Sequence, residues 1–347
     1  MTTSPHPLVV QAHRLAAEVL APQAERVDQE GVPADSIEAI RRSGLLGVSA
    51  PVAYGGSGAP NSVARETAEI LAGACCSTWF VQTQHHTPVL TLVKSELPAR
   101  ERLLGRLATG ELLSGVAYAH LRRYPQVPVR AVPKRGGWLF HGTVPWYTGW
   151  GLNDVMLLAG VTDADEVVFA FAEAREQSGL RASAPMRLAA LTAARTVSLH
   201  LDGLWISDDA VALHAPYESW AASDRPKPAN ASPAVFGVAE SALALLDQDD
   251  PRTKGLRLRV DKVRRQAYAL ADHPAPHEHI EERLALKTKA FDLMRTATTA
   301  AVVAGGGRAL TLDSRAQRLA REALFLLVQG QTDEVRRAHL GSLSDTY

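Results

Sequence analysis

The apolar residues of this chain change their spacing twice, and that change constrains the fold more than any single motif. Up to about residue 113 they recur at helical intervals. Between about 114 and 215 they alternate or run in short blocks, and from 216 onward the helical spacing returns. This α–β–α order predicts a multi-part α+β chain, with an N-terminal helical domain over 1–113, a central β domain over 114–215 and a C-terminal helical bundle over 216–347. A chain of 347 residues is long enough for such parts to share a continuous core. No internal repeat interrupts the order.

Local signals fill in the elements. Residues 9–20 carry apolar positions at helical spacing, with Arg14 and Glu18 on the other face. Asp35 or Ser36 is placed to cap a helix over 36–42 that Gly44 ends, and Asn61 to cap one running to about Cys76. Between them lies the turn-rich Pro51-Val-Ala-Tyr-Gly-Gly-Ser-Gly58, and a helix over 98–109 is closed by Gly110. In the middle stretch, 127–132 and 138–141 flank Lys134-Arg-Gly-Gly137, a hairpin signal. Segments 155–161, 167–172 and 196–201 read as strands, the last with Val197, Leu199 and Leu201 on one face. Helices are expected again over 234–246, 256–271, 280–304 and 313–327, with Gly305-Gly-Gly307 after the third.

Composition narrows the function classes. The chain has 37 Lys and Arg against 37 Asp and Glu and no basic stripe, which argues against a nucleic-acid partner. A hydrophobic fraction of 46 % is too high for disorder. No segment approaches about 20 consecutive apolar residues, so no membrane span is expected. Adjacent Cys75 and Cys76 are the only cysteines, and strain keeps such neighbours from bridging. With no signal-peptide core near the N-terminus, a reducing cytoplasm is the expected location. His85-His86 reads as packing or surface. His273, His277 and His279 lie in a Pro-rich loop without a spaced partner, so no metal site is expected there. Arg318 and Arg321, with Glu322, fit a structural ion pair, and the apolar faces of the C-terminal helices fit a core or a dimer seam.

Four collinear segments, covering nearly the whole chain, resemble the acyl-CoA dehydrogenase superfamily. The first is Gly44-Leu-Leu followed by Pro51 and Tyr54-Gly-Gly56, and the second is Phe140-His-Gly-Thr-Val-Pro-Trp-Tyr-Thr-Gly149. The third, 197–208, is similar to the strand leading to the Val-Pro segment that closes the family's β domain. In the fourth, Ala309-Leu, Asp313-Ser, Gln317-Arg-Leu-Ala-Arg-Glu322 and Gly330-Gln-Thr resemble the C-terminal helix and loop.

The resemblance implies an FAD enzyme, a homodimer or homotetramer, with the flavin between the β domain and the C-terminal helices and a neighbouring subunit helping to hold it. It assigns Trp146 to packing beside the isoalloxazine and Thr148 to a hydrogen bond with it, and two-residue spacing puts both on one strand face. A tryptophan buried in the β core is the alternative. Tyr118, His120 and Leu121 take the place of the flavin-edge loop, with His120 as a plain strand-end residue the alternative. Arg252 matches the arginine that pairs with pyrophosphate. Gly305 and Gly306 leave room for backbone approach near an adenosine diphosphate, or simply end a helix. Gln331 and Thr332 fall in the C-terminal cofactor loop.

The pattern also breaks. Gln329, in Val328-Gln-Gly330, stands where the family carries its glutamate base, and an amide cannot accept the proton α to a thioester. Asp224, before Arg225-Pro226, is a second position for the base; a solvated loop carboxylate is the alternative. The family's Arg-x-x-Phe-Gly is reduced to Arg252-Thr-Lys-Gly255, and the Gly-Ser-Asp after Tyr118 is missing. The favoured reading is an FAD-dependent oxidoreductase acting on a CoA or carrier-protein thioester. A reduced-flavin monooxygenase of the same fold, served by a flavin reductase or other redox partner and acting on another small organic substrate, is the alternative. So is a degenerate binding subunit.

Overall fold

In the computed structural model, which describes residues 5–273 and 275–344, Pro7 opens the first helix, α1 (Pro7–Leu15). His6 caps it, Nδ1 accepting from the Leu8 N–H at 3.2 Å. Residues 1–4, within the N-terminal stretch, and Pro274, within the Pro-rich loop, lie outside the described residues. A π-turn (Ala16–Leu20) leads towards α2 (Ala24–Glu30), and α3 (Ala34–Arg42) follows. Neither expected cap of α3 holds. Pro33 occupies the N-cap, Asp35 lies in the first turn, and the buried Ser36 hydroxyl accepts from Gln23 Nε2 at 2.8 Å. Gly44 ends the segment at φ 75°, as expected.

Pro60, not Asn61, is the N-cap of α4 (Asn61–Ala74). Cys75 is extended at φ −154°, so the helix stops short of Cys76 and α5 (Cys76–Thr83) restarts there. Both thiols are free and buried. Helices α6 (His86–Lys94) and α7 (Ala99–Ala108) complete the first part.

The strands are β1 (Ser114–Ala117), β2 (Val129–Lys134), β3 (Gly137–Tyr147), β4 (Val155–Val161), β5 (Glu166–Glu173), β6 (Leu180–Ala182), β7 (Val197–Ser207) and β8 (Val211–Pro216). They form a sheet in the order β6-β7-β3-β2-β4-β5-β8, with β1 parallel to β4. The expected hairpin is β2–β3, closed by Gly136 at φ 76°. Alternation on β7 buries Val197, Leu199 and Leu201 together with Phe140 and Val144 of β3.

Helices then return as α8 (Tyr217–Asp224), α9 (Pro233–Leu243), α10 (Pro251–Ala271), α11 (Ile280–Gly305), α12 (Arg315–Val328) and α13 (Asp333–Ser344). The periodicity did not signal α8 or α13, whose apolar residues are few. The first and last helical stretches share one core, in which Leu15, Leu71 and Trp79 meet Phe236, Met294 and Leu319. Helices α4 and α9 cross so closely that a Cβ on Gly237 would stand 2.1 Å from the Glu69 carbonyl oxygen. A second layer, with Leu92, Leu104, Phe169 and Trp220, packs α6, α7 and α8 against the sheet. This brings the end of β1, the end of α8 and the α12–α13 loop to one place. No described helix is long and apolar enough to cross a membrane.

Candidate functional site

After β1 the chain makes one tight turn, Ala119–Arg123, and its side chains clamp it on several sides. His120 is buried with Nε2 3.0 Å from the Ala159 carbonyl of β4, and burial lowers its pKa to about 4. Leu121 is also buried, and its carbonyl accepts from the Tyr217 hydroxyl at 3.0 Å. Tyr118 packs on Phe169 with ring centroids 5.3 Å apart. Residue Arg122 reaches across to α8, donating from Nε and Nη2 to the two Asp224 oxygens at 2.7 and 3.2 Å.

Asp224 is the last residue of α8 and 4 % exposed, so it is not a solvated loop carboxylate. Burial pushes its carboxyl pKa up, but the bonds and charge of Arg122, with Lys227 at 3.5 Å, outweigh that and hold it below the usual value. The guanidinium of Arg122 also faces the α12–α13 loop, where a Cβ on Gly330 would stand 4.0 Å from Nη1. Arg122, Asp224 and the loop carrying the half-buried Gln329 therefore come together.

A buried ammonium adds to this positive centre. Lys287 of α11 donates to the carbonyls of Pro228 at 2.8 Å and Asn230 at 3.3 Å. Burial, reinforced by the charge of Arg122, lowers its pKa to about 8. Neither Arg122 nor Lys287 stood out as a site residue in the sequence. Arg122 follows directly on the flavin-edge segment, a signal that could have found it; Lys287 has none within a long amphipathic helix. A cavity of about 280 Å³ opens beside the same loop, floored by Pro226, Ala229, Ile280, Leu284 and Val335 and bordered by Thr332.

The other expected positions divide. Trp146 is 50 % exposed, so it is not a β-core residue. It also does not share a strand face with Thr148: the β3–β7 register shifts between Val144 and Tyr147, and β3 ends at Tyr147. Thr148 is buried, its hydroxyl 3.1 Å from that of Thr196 and its carbonyl accepting from Asn153 Nδ2 at 3.0 Å. The Gln331 side chain accepts from Arg336 at 3.3 Å, and the Thr332 hydroxyl accepts from the Val335 N–H at 3.3 Å, so both hold the start of α13.

Gly305 ends α11, and a Cβ on Gly306 would meet nothing within 4 Å. The Arg252 side chain is 92 % exposed and pairs with Asp250 at the start of α10. In the loop before α11, His273 and His279 gather with Glu278, a partner that histidine spacing alone does not reveal. Arg318 and Arg321 do form structural pairs, and these extend across the chain: Arg318 to Glu322 at 2.7 Å and Glu25 at 3.1 Å, and Arg321 to Asp28.

Residues 6–111 match the family described as "Acyl-CoA dehydrogenase, N-terminal domain". The chain is 28 % identical over 162 residues to a 3-sulfinopropanoyl-CoA desulfinase of Paraburkholderia xenovorans, a match spanning 44 % of this chain and 41 % of that relative. Among solved structures, butyryl-CoA dehydrogenase from Megasphaera elsdenii superposes with a TM-score of 0.82 at 16 % identity, covering 99 % of this chain and 100 % of that one. A dibenzothiophene monooxygenase from a Paenibacillus strain does so with a TM-score of 0.80 at 17 % identity, covering 99 % and 98 %. These superpositions show a shared fold.

Proposed function

We propose that this chain, which belongs to the acyl-CoA dehydrogenase superfamily, is an FAD-dependent oxidoreductase that acts on a CoA or carrier-protein thioester without a carboxylate base at position 329. The half-exposed indole of Trp146 beside the end of β3 fits a flavin ring, since it offers an apolar face that the protein core leaves open. Bound FAD supplies hydride-accepting chemistry. Trp146 would hold one face of the ring, and the turn of Tyr118–Leu121 would line its edge. Arg252, Gly305 and Gly306, exposed at helix ends, are available to the cofactor of a second copy.

The observation that carries this reading is the approach of the Arg122 guanidinium to the loop of Gln329, where a Cβ on Gly330 would stand 4.0 Å from Nη1. Where the resemblance puts a proton acceptor, the chain carries a neutral amide, in a loop that faces a guanidinium. Asp224 is poorly suited to replace the base, because both its oxygens are committed to Arg122 and its proton affinity is lowered. The same absence favours a second reading, oxygenation by reduced flavin, which needs no proton abstraction next to a thioester. The exposed Val303, Leu310, Leu324 and Val328 on α11, α12 and their connection support self-association into a dimer or tetramer.

Anaerobic mixing of the FAD-loaded protein with short-chain acyl-CoAs tests the first reading. Bleaching of the flavin that quickens at least about tenfold in Gln329→Glu supports a thioester site lacking only its base. No bleaching by either protein, together with oxygen-dependent turnover on addition of a flavin reductase, supports the monooxygenase instead.

A further inference from the structure

We propose that the turn between α10 and α11 is a binding site for a zinc-type divalent metal ion, held by His273, Glu278 and His279. One ligand atom from each of the three lies within 4.8 Å of the others, and the two imidazole rings meet edge to face with centroids 5.1 Å apart. A tetrahedral zinc ion with nitrogen and oxygen ligands at about 2.1 Å needs them roughly 3.4 Å apart. Side-chain rotation at the exposed Glu278 and His279 closes that difference.

The surroundings orient the ligands. His273 Nδ1 lies 3.4 Å from the Ala275 carbonyl, and in the tautomer that donates its proton there the Nε2 lone pair is left for the ion. His279 Nε2 faces Glu278 at 3.9 Å, while its Nδ1 faces the Glu282 carboxylate at 3.6 Å. In the tautomer that carries its proton on Nδ1, on the Glu282 side, the Nε2 lone pair is left for an ion beside Glu278, the arrangement in which a carboxylate supports a metal-bound histidine. Both flanks of the turn are anchored. Arg283, 2 % exposed, donates from Nε to the Glu278 carbonyl at 3.0 Å and from Nη1 to Asn230 Oδ1 at 2.7 Å. On the other side Asp272 holds Arg65 at 2.8 Å.

Two imidazoles and one carboxylate select zinc and its first-row neighbours over calcium or magnesium, which prefer all-oxygen shells. The exposed side of the cluster leaves the remaining coordination position to water. Such an ion would tie the end of α10 to the start of α11.

Tag-free full-length protein, stripped with EDTA, is titrated with zinc chloride against a chromophoric chelator. The expected result is one zinc per chain, binding weakened about tenfold or more in His279→Asn and Glu278→Gln, and unchanged binding in His277→Ala in the same turn. Asparagine tolerates the left-handed backbone of residue 279 (φ 58°), so His279→Asn keeps the fold, which circular dichroism verifies. Zinc should raise the unfolding temperature of the parent chain but not of His279→Asn. Failure to bind zinc, equal binding by His279→Asn, or equal loss in His277→Ala overturns the proposal.

Discussion

Arg122 spends two of its donors on Asp224 and still faces the loop of Gln329, so one side chain ties the turn after β1 to α8 and borders the α12–α13 connection. Removing its partner's charge leaves a largely buried guanidinium without a counter-ion. Asp224→Asn should therefore cost roughly 2–4 kcal/mol in urea unfolding, while the reaction of FAD-loaded protein with substrate persists. A stable Asp224→Asn protein that has lost all turnover would instead make Asp224 the base. Histidine burial adds a pH dependence at the same scale. His85 donates from Nε2 to the Leu107 carbonyl at 3.1 Å and accepts from the Ser114 N–H at 3.0 Å, and its pKa is lowered by burial to about 3, that of His120 to about 4. In the unfolded chain both take up protons near the ordinary histidine pKa of about 6.5. The unfolded state thus binds more protons as pH falls below that value. Stability should drop by up to about 1.4 kcal/mol per pH unit for each, until the folded values are reached. Urea midpoints measured from about pH 7.5 down to about pH 5 should fall steadily, and His85→Asn should flatten the curve. A midpoint independent of pH over that span contradicts the assignment.

Helix α9 lies against α4 with Gly237 at the crossing and Gly73 opposite, where a Cβ would come 2.7 Å from the Gly237 carbonyl oxygen. Backbone cannot yield as a flexible side chain would, so Gly237→Ala should lower stability by about 1–3 kcal/mol or more, read as a fall in thermal unfolding temperature. An unchanged temperature would mean that the helices separate without cost. Element by element, the sequence was legible wherever periodicity was long. Strand β7 follows from alternation, because it buries one face; β4 and β5, buried on both faces, follow from their short apolar blocks, and helices α9 to α12 from apolar residues at helical spacing. Their caps were less legible. Asp35, Ser36 and Asn61 have the right chemistry, yet Pro33 and Pro60 precede the helices and start them without a side-chain acceptor. The break at Cys75 left no trace, since Ala74, Cys75 and Cys76 are all small residues buried in the same core.

At the scale of the whole molecule, the C-terminal helices complete the core begun by the N-terminal ones, and the sheet region packs beside them. The site lies where the end of β1, the end of α8 and the α12–α13 loop meet. Its individual residues were only partly legible, because contacts such as Arg122–Asp224, separated by 102 positions, depend on packing that no local pattern encodes. Trp146 was singled out by resemblance alone, and its exposure leaves a large apolar face that a flavin ring would cover. Titration of the purified chain with FAD, followed by its visible spectrum, tests the central claim most directly. A flavoenzyme requires saturable binding with a shifted, resolved flavin band and an affinity at least about tenfold weaker in Trp146→Ala. A spectrum that stays that of free FAD at every concentration contradicts it, and would make the chain a fold that has lost its cofactor.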